Sequence, residues 1–474
     1  MKITLVYPGI SIIGFDSLGR GAHDTISVNL GMGYISSYLK ENSKGHTVDL
    51  IDLRDLETWE HFEIELKARD PDVVGIHFNT INFEYGLNCA RKAKKLNRIV
   101  IAGGPHATLA PDDLIRTGLI DTVIVGEGEV SFLKVIEDIE CGKATERIIY
   151  GEKIENLDDI PFPDRDLYNM NRILNSPGIF PYPNRYIGIV ASRGCYYNCS
   201  FCQPLERKIF GKKVRTRSVG NVIEEVKFVK EKYKANFIMF ECDTLTTKKE
   251  WAMELCRKMK DMEIRWGAQS RVDTIDTELA EAMHDGGCMV IFFGFESGSE
   301  RMLKLLRKGI KPEQSIKAGK ICRESKMLIF ANYMLGIPTE TREDIELTFD
   351  MIKEIRPELH SPTYFSPIPG SDLYDFCKNM GIIKIDSYEG FIRNPINEKI
   401  KGIDYSLLDF YKKRILKYKI NWYEEKHYFE YVFARWKHLL KKGYYKNIAK
   451  EFILNTPIID KIPAIIRLIK GIFA

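Results

Sequence analysis

A chain of 474 residues, 44% hydrophobic and 29% charged, is long enough for about three domains and has the composition of ordinary globular protein. No run of about 18 uncharged apolar residues occurs, so no transmembrane helix is expected. The formal charge of +4 is unevenly placed: residues 391–474 hold 18 Lys and Arg against 8 Asp and Glu, so the basic character belongs to the tail and bears on partners rather than fold.

The N-terminus, Met1-Lys-Ile-Thr-Leu-Val-Tyr7, enters a strand pattern directly, with no signal peptide. Ten cysteines without a secretory signal indicate a reducing, cytoplasmic setting. Through residues 1–145, apolar runs rich in β-branched residues (3–7, 47–52, 73–78, 99–102 and 122–125) alternate with helical patterns near 33–42, 59–68, 84–96, 111–116 and 129–139. Such alternation predicts a doubly wound, Rossmann-like parallel sheet, with ligands at the carboxyl ends of the strands. Two loops at those ends are rich in glycine, Gly103-Gly104-Pro105-His106 and Gly126-Glu127-Gly128-Glu129, and glycine lets backbone approach a ligand. No G-x-G-x-x-G opens the first helix, so neither loop is a dinucleotide fingerprint. Asn156-Leu-Asp-Asp-Ile-Pro-Phe-Pro-Asp164, with two prolines and three carboxylates, reads as an extended connector within a linker over 146–184.

A short apolar run, Tyr186–Ala191, then delivers Gly194-Cys195-Tyr-Tyr-Asn-Cys199-Ser-Phe-Cys202, three thiols at spacing C-x3-C-x2-C. Three thiolates on one loop suit an iron–sulfur cluster, and with no fourth cysteine nearby one iron stays open to a ligand. A structural zinc site, the bland alternative, wants four ligands. The loop, with Phe201 before the third cysteine, resembles the signature of radical S-adenosylmethionine (SAM) enzymes. The resemblance implies a 4Fe-4S cluster on Cys195, Cys199 and Cys202, SAM chelating the open iron, and reductive cleavage of SAM to a 5'-deoxyadenosyl radical by an external one-electron reductant of flavodoxin or ferredoxin type. Taken with this loop, the upstream Gly-Gly-Pro-His and Gly-Glu-Gly-Glu pair resembles the cobalamin-binding domain that precedes the barrel in one large subfamily. It implies cobalamin contacts from Asn79, Thr80, Gly103, Gly104, Pro105, His106, Gly126, Glu127, Gly128 and Glu129. The segment His77-Phe-Asn-Thr80 would face the corrin. No Asp-x-His-x-x-Gly motif occurs, so His106 is expected as a loop or nucleotide-tail contact and not as a cobalt ligand.

Over residues 185–375 strand and helix alternate again, with strands expected at 237–240, 264–268, 290–293, 328–334 and 360–365 after the leading one. Six strands are too few for a closed eight-fold barrel, so a partial, open (β/α)6 barrel is expected, as in the resembled family. Phe240-Glu-Cys-Asp-Thr244, Ser270-Arg-Val-Asp273, Gly294-Phe-Glu-Ser-Gly298 and Leu335-Gly-Ile-Pro-Thr-Glu340 fall at consecutive strand ends. There the resemblance implies SAM contacts from Phe201, Glu241, Asp243, Arg271 and Glu296, the Arg271 fork matching the SAM carboxylate. The seven remaining cysteines lie singly and are read as small buried hydrophobes, Cys242 excepted, which could face substrate.

Residues 376–474 read as a helical, basic C-terminal region. Its last stretch, with Asp460 as cap and Ile462, Ile465, Ile466, Ile469, Ile472 and Phe473 at helical spacing among Lys461, Arg467 and Lys470, either docks on the protein's own body or lies on the inner face of an anionic membrane. The resemblance as a whole implies an anaerobic, cobalamin-dependent radical SAM enzyme that methylates an unactivated carbon of a small-molecule or lipid precursor. Cyclisation, oxidation or dehydration on the same architecture, and a non-catalytic cobalamin- or membrane-binding module, are the alternatives. No nucleic-acid partner is expected.

Overall fold

The computed structural model describes residues 1–9, 27–43, 45–175, 185–202, 210–211, 213–387 and 398–418. The first sheet is wholly parallel: β1 (Lys2–Tyr7), β2 (Thr47–Asp52), β3 (Val73–His77), β4 (Ile99–Gly103), β5 (Thr122–Val125) and β6 (Ile148–Tyr150), in the order β2-β1-β3-β4-β5-β6. Buried residues alternate along β1, Leu5 and Val6 entering separate apolar clusters on the two faces, as a sheet covered by helices on both sides requires. The chain winds outward in both directions from β1, so the carboxyl ends of β1 and β3 form the switch point where such sheets hold ligands. β6 lies within the stretch read as linker. Its three-residue apolar run was too short to mark it, and it pairs with β5 as the sheet's last strand.

Between Gly151 and Arg165 the linker is fastened to the elements on either side. Asp164 N–H donates to the Gly33 carbonyl at 3.0 Å, and the Ser36 hydroxyl donates to Asp164 at 2.8 Å. The buried Arg165 guanidinium pairs with Glu225 at 2.6 Å and donates to the Gly188 carbonyl at 2.8 Å, and Arg217 pairs with the same carboxylate. One acid between two cations, all three shielded from water, ties the linker to the second domain.

That domain begins with β7 (Tyr186–Ile189), followed by a short antiparallel pair, β8 (Ser192–Arg193) and β9 (Arg215–Thr216). Then come β10 (Phe237–Phe240), β11 (Arg265–Ser270), β12 (Cys288–Glu296), β13 (Leu328–Leu335) and β14 (Leu359–Tyr364). The order β14-β13-β12-β11-β10-β7 is parallel throughout, and β7 and β14 do not pair, so the barrel is six-stranded and open. Ile238 and Phe240, Trp266 and Ala268, Phe293 and Phe295, and Tyr333 and Leu335 face outward into one apolar cluster with the helices. By the two-residue alternation of strands, Gly188, Glu241, Gln269, Arg271, Gly294 and Glu296 face inward. The helix Tyr405–Lys417 buries Leu408, Tyr411 and Ile415 in the same outer cluster and so covers the edge at β14.

Candidate active site

The cysteine loop is held at its middle. Ser200 N–H donates to the Leu306 carbonyl at 2.9 Å, its hydroxyl donates to the Leu305 carbonyl at 2.8 Å, and its own carbonyl accepts from Leu373 at 2.9 Å. Phe201 packs with Met302 and Leu306 beneath the loop, with Lys308 Nζ 5.8 Å from its ring centre. Cys195 and Cys199 are half-buried, Cys202 is exposed, and none of the three is in a disulfide. Among the described residues no group of three or more His, Cys, Asp or Glu side chains is already gathered as a metal site. The donor set fits: three thiols, unpaired in disulfides, at the mouth of an open barrel.

At the barrel strand ends the four other residues read as SAM contacts, Glu241, Asp243, Arg271 and Glu296, occupy different environments. Glu241 and Asp243 follow β10 and face a cavity of about 390 Å³ between the two domains. Glu241 is exposed to the cavity, and desolvation by the protein packed around that void pushes its carboxyl up to about 7. Asp243 lies near enough to Cys195 to add to the burial that raises that thiol. Arg271 is already engaged: Nε and Nη2 donate to the two Asp273 oxygens at 2.9 and 3.0 Å, and Nη2 also donates to the Lys308 carbonyl at 2.7 Å. Glu296 Oε1 accepts from Lys308 Nζ at 2.9 Å, both side chains nearly buried. A Cβ at Gly294 would stand 2.3 Å from Glu296 Oε1 and 2.9 Å from Lys308 Nζ, so a side chain there would displace this pair. Glu296 itself holds φ +64°, a costly left-handed conformation for a residue with a side chain, of the kind that gathers at functional sites. Cys242 is turned the other way: it belongs to the outer apolar cluster and accepts from Ala191 N–H at 3.4 Å, so the expectation that it faces substrate is corrected by strand alternation.

The cavity's opposite wall comes from the first domain, at its switch point. Gly103, Gly104, Pro105, Gly126, Glu127, Gly128 and Glu129 line it, together with His77 and the start of the helix Leu30–Asn42. Gly104 holds φ +100°, and a Cβ there would stand 2.9 Å from the Phe78 carbonyl. A Cβ on Gly103 would meet nothing within 4 Å, because that position faces the void. Such a bare backbone rim fits a large planar ligand. Asn79, Thr80 and His106 stand behind it: His106 is buried, 3.3 Å from the Thr80 hydroxyl and against the Phe83 ring. The histidine on the cavity is His77, whose burial lowers it to about 4 and keeps it neutral. It opens the segment His77–Thr80 expected to face the corrin, and within that segment it is the residue that lines the cavity.

Glu127 and Glu129 reach across to the second domain. Arg193, two residues before Cys195, donates to Glu127 at 3.1 Å and to Glu129 at 2.5 Å, and Arg215 pairs with Glu127. The four side chains are almost wholly shielded from water, and they join the glycine loop of one domain to the strands that flank the cysteine loop of the other.

The sequence matches the family model for the B12 binding domain over residues 23–136 and that for the radical SAM superfamily over residues 189–352. An uncharacterized methyltransferase of Pyrococcus horikoshii is 34% identical over 398 residues, covering 80% of this chain and 83% of that one. The chain belongs to the B12-binding radical SAM family. The anaerobic magnesium-protoporphyrin IX monomethyl ester cyclase of Rubrivivax gelatinosus is 22% identical, covering 79% of this chain and 69% of its own. The radical SAM methyltransferase TsrM from Kitasatospora setae, solved with cobalamin and a [4Fe-4S] cluster bound, shares the fold: TM-score 0.65 at 16% identity, over 86% of this chain and 80% of that one. The α/β architecture, a B12-binding domain followed by a radical SAM barrel, is therefore that of the family.

Proposed function

We propose that this chain is a cobalamin-dependent radical SAM methyltransferase acting on a small molecule, with a low-potential one-electron protein as reductant. One observation carries the reading: the interdomain cavity is walled on one side by the glycine rim of the B12-binding domain and on the other by Glu241 and Asp243, beside the cysteine loop. When bound, the cluster, SAM and cobalamin supply the radical and the methyl group. The chain's part is placement. Cys195, Cys199 and Cys202 would hold the cluster. Gly103, Gly104, Gly126 and Gly128 would let the corrin lie against backbone. Glu127 and Glu129, through Arg193 and Arg215, fix the spacing between the two cofactor sites. Glu241, with a carboxyl about half protonated near neutral pH, offers both a donor and an acceptor to a substrate in the cavity. Asp243 and Glu296 would offer carboxylate acceptors to SAM.

The relationship to the Rubrivivax cyclase motivates a second reading, radical chemistry on the same cavity without methyl transfer. Anaerobic incubation of the reconstituted protein with methyl-labelled SAM, cobalamin and dithionite separates the two. Label recovered on the protein's cobalamin supports the methyltransferase. Label confined to methionine, with 5'-deoxyadenosine formed, supports the second reading and overturns the first. Described residues contain no helix long and apolar enough to cross a membrane, and the C-terminal stretch read as an amphipathic helix lies outside them.

A further inference from the structure

Arg271 sits at the end of β11, 5% exposed, and its guanidinium is fixed on every side. Asp273 takes two of its N–H groups in fork geometry, the Lys308 carbonyl takes a third, and the Tyr197 ring stacks 3.4 Å from its central carbon. The nitrogen not used by those contacts, Nη1, points at Cys199 Sγ, 3.9 Å away. A fork already matched to one carboxylate is not positioned to grip another. What it does present is an immobile positive charge and an N–H directed at one of the three thiols of the cluster loop.

We infer that Arg271 is a positioning residue that sets the reduction potential of the cluster through a hydrogen bond to the Cys199 sulfur. When the cluster accepts one electron from the low-potential carrier, no bond forms or breaks and one negative charge is added, part of it on the sulfur ligands. A fixed N–H and cation at one sulfur stabilise that added charge, and hydrogen bonds to sulfur and local charge are among the principal determinants of such potentials. Asp273 has the opposite sign: it holds the guanidinium in place and offsets part of its charge. The loop's Tyr197 completes the arrangement, because the planar guanidinium stacks on an aromatic ring in a way an ammonium does not.

The inference rests on the cluster assignment to Cys195, Cys199 and Cys202, and the test separates the two. The full-length protein and its Arg271→Met, Arg271→Lys and Asp273→Asn variants are reconstituted anaerobically without SAM, assayed for iron and sulfide, and titrated with dithionite under EPR. Arg271→Met is expected to make reduction about tenfold less favourable, a fall of about 59 mV for a one-electron couple. Arg271→Lys falls less, and Asp273→Asn rises. A fully loaded Arg271→Met protein with the wild-type midpoint overturns the inference and leaves the cluster assignment standing. If neither Arg271 variant takes up iron, Asp273→Asn decides: a raised midpoint supports the inference, and an unchanged or lowered one overturns it. A wild-type protein that takes up no cluster removes both.

Discussion

Glu241 and the Glu296–Lys308 pair show how far single residues depart from their ordinary chemistry at these strand ends. Burial raises the Glu241 carboxyl to about 7, so the folded state keeps a proton that the unfolded chain releases near the usual carboxylate value. The folded form therefore binds more protons between those two values. The stability linked to this group is complete at the acid end of the window and is lost as pH rises through 7. Thermal unfolding of Glu241→Gln beside the wild type should show the variant gaining relative stability from pH 5 to pH 8; parallel curves would refute the burial argument. At Lys308 the effect is larger. Replacing it with Met strands the Glu296 carboxylate in a site closed to water and should cost about 3 kcal/mol in denaturant unfolding. Sequence reasoning placed Glu241, Asp243, Arg271 and Glu296 at strand ends because the strand pattern is local. It did not reveal that Arg271 and Glu296 already have protein partners, since Asp273 and Lys308 are matched to them by the turns that follow each strand and by barrel curvature.

Among the elements, the loop Gly126–Glu129 and the strand pair β8–β9 form the joint between the two halves. Glu127 lies between Arg193 and Arg215, so Glu127→Gln leaves two buried guanidinium groups short of charge and should destabilise the protein by about 3 kcal/mol. The double variant Glu127→Gln, Arg215→Met should lose less than the sum of its parts, because the partners share one interaction; strict additivity would mean the network does not join the domains. The motif Gly-Glu-Gly-Glu was visible in sequence, and its glycines do line the cavity. Its acids read as cobalamin contacts because nothing local shows that two arginines some 65 to 90 residues later fold against them. Likewise β6 was absorbed into the linker: three residues carry too little periodicity to mark a strand, and only pairing with β5 defines it.

At the scale of the whole molecule, both halves were legible, since alternating strand and helix patterns over 150 or more residues leave few other architectures. The angle between them was not, because it depends on the Arg165–Glu225–Arg217 cluster and the pinned linker, contacts of high sequence separation. That angle is what makes one cavity from two sets of strand ends. In the proposed function this cavity brings a cobalamin site and a cluster site together on one chain as separable parts. The most direct measurement is cofactor content after anaerobic reconstitution of the full-length protein, read as cobalamin absorbance and 4Fe-4S EPR, in the wild type, Gly103→Leu and Cys199→Ala. Gly103→Leu has room to fold, because its side chain enters the void. The account predicts that the wild type binds both cofactors, that Gly103→Leu loses cobalamin and keeps the cluster, and that Cys199→Ala loses the cluster and keeps cobalamin. Undiminished cobalamin binding by Gly103→Leu, or a cluster signal that survives Cys199→Ala, would contradict it.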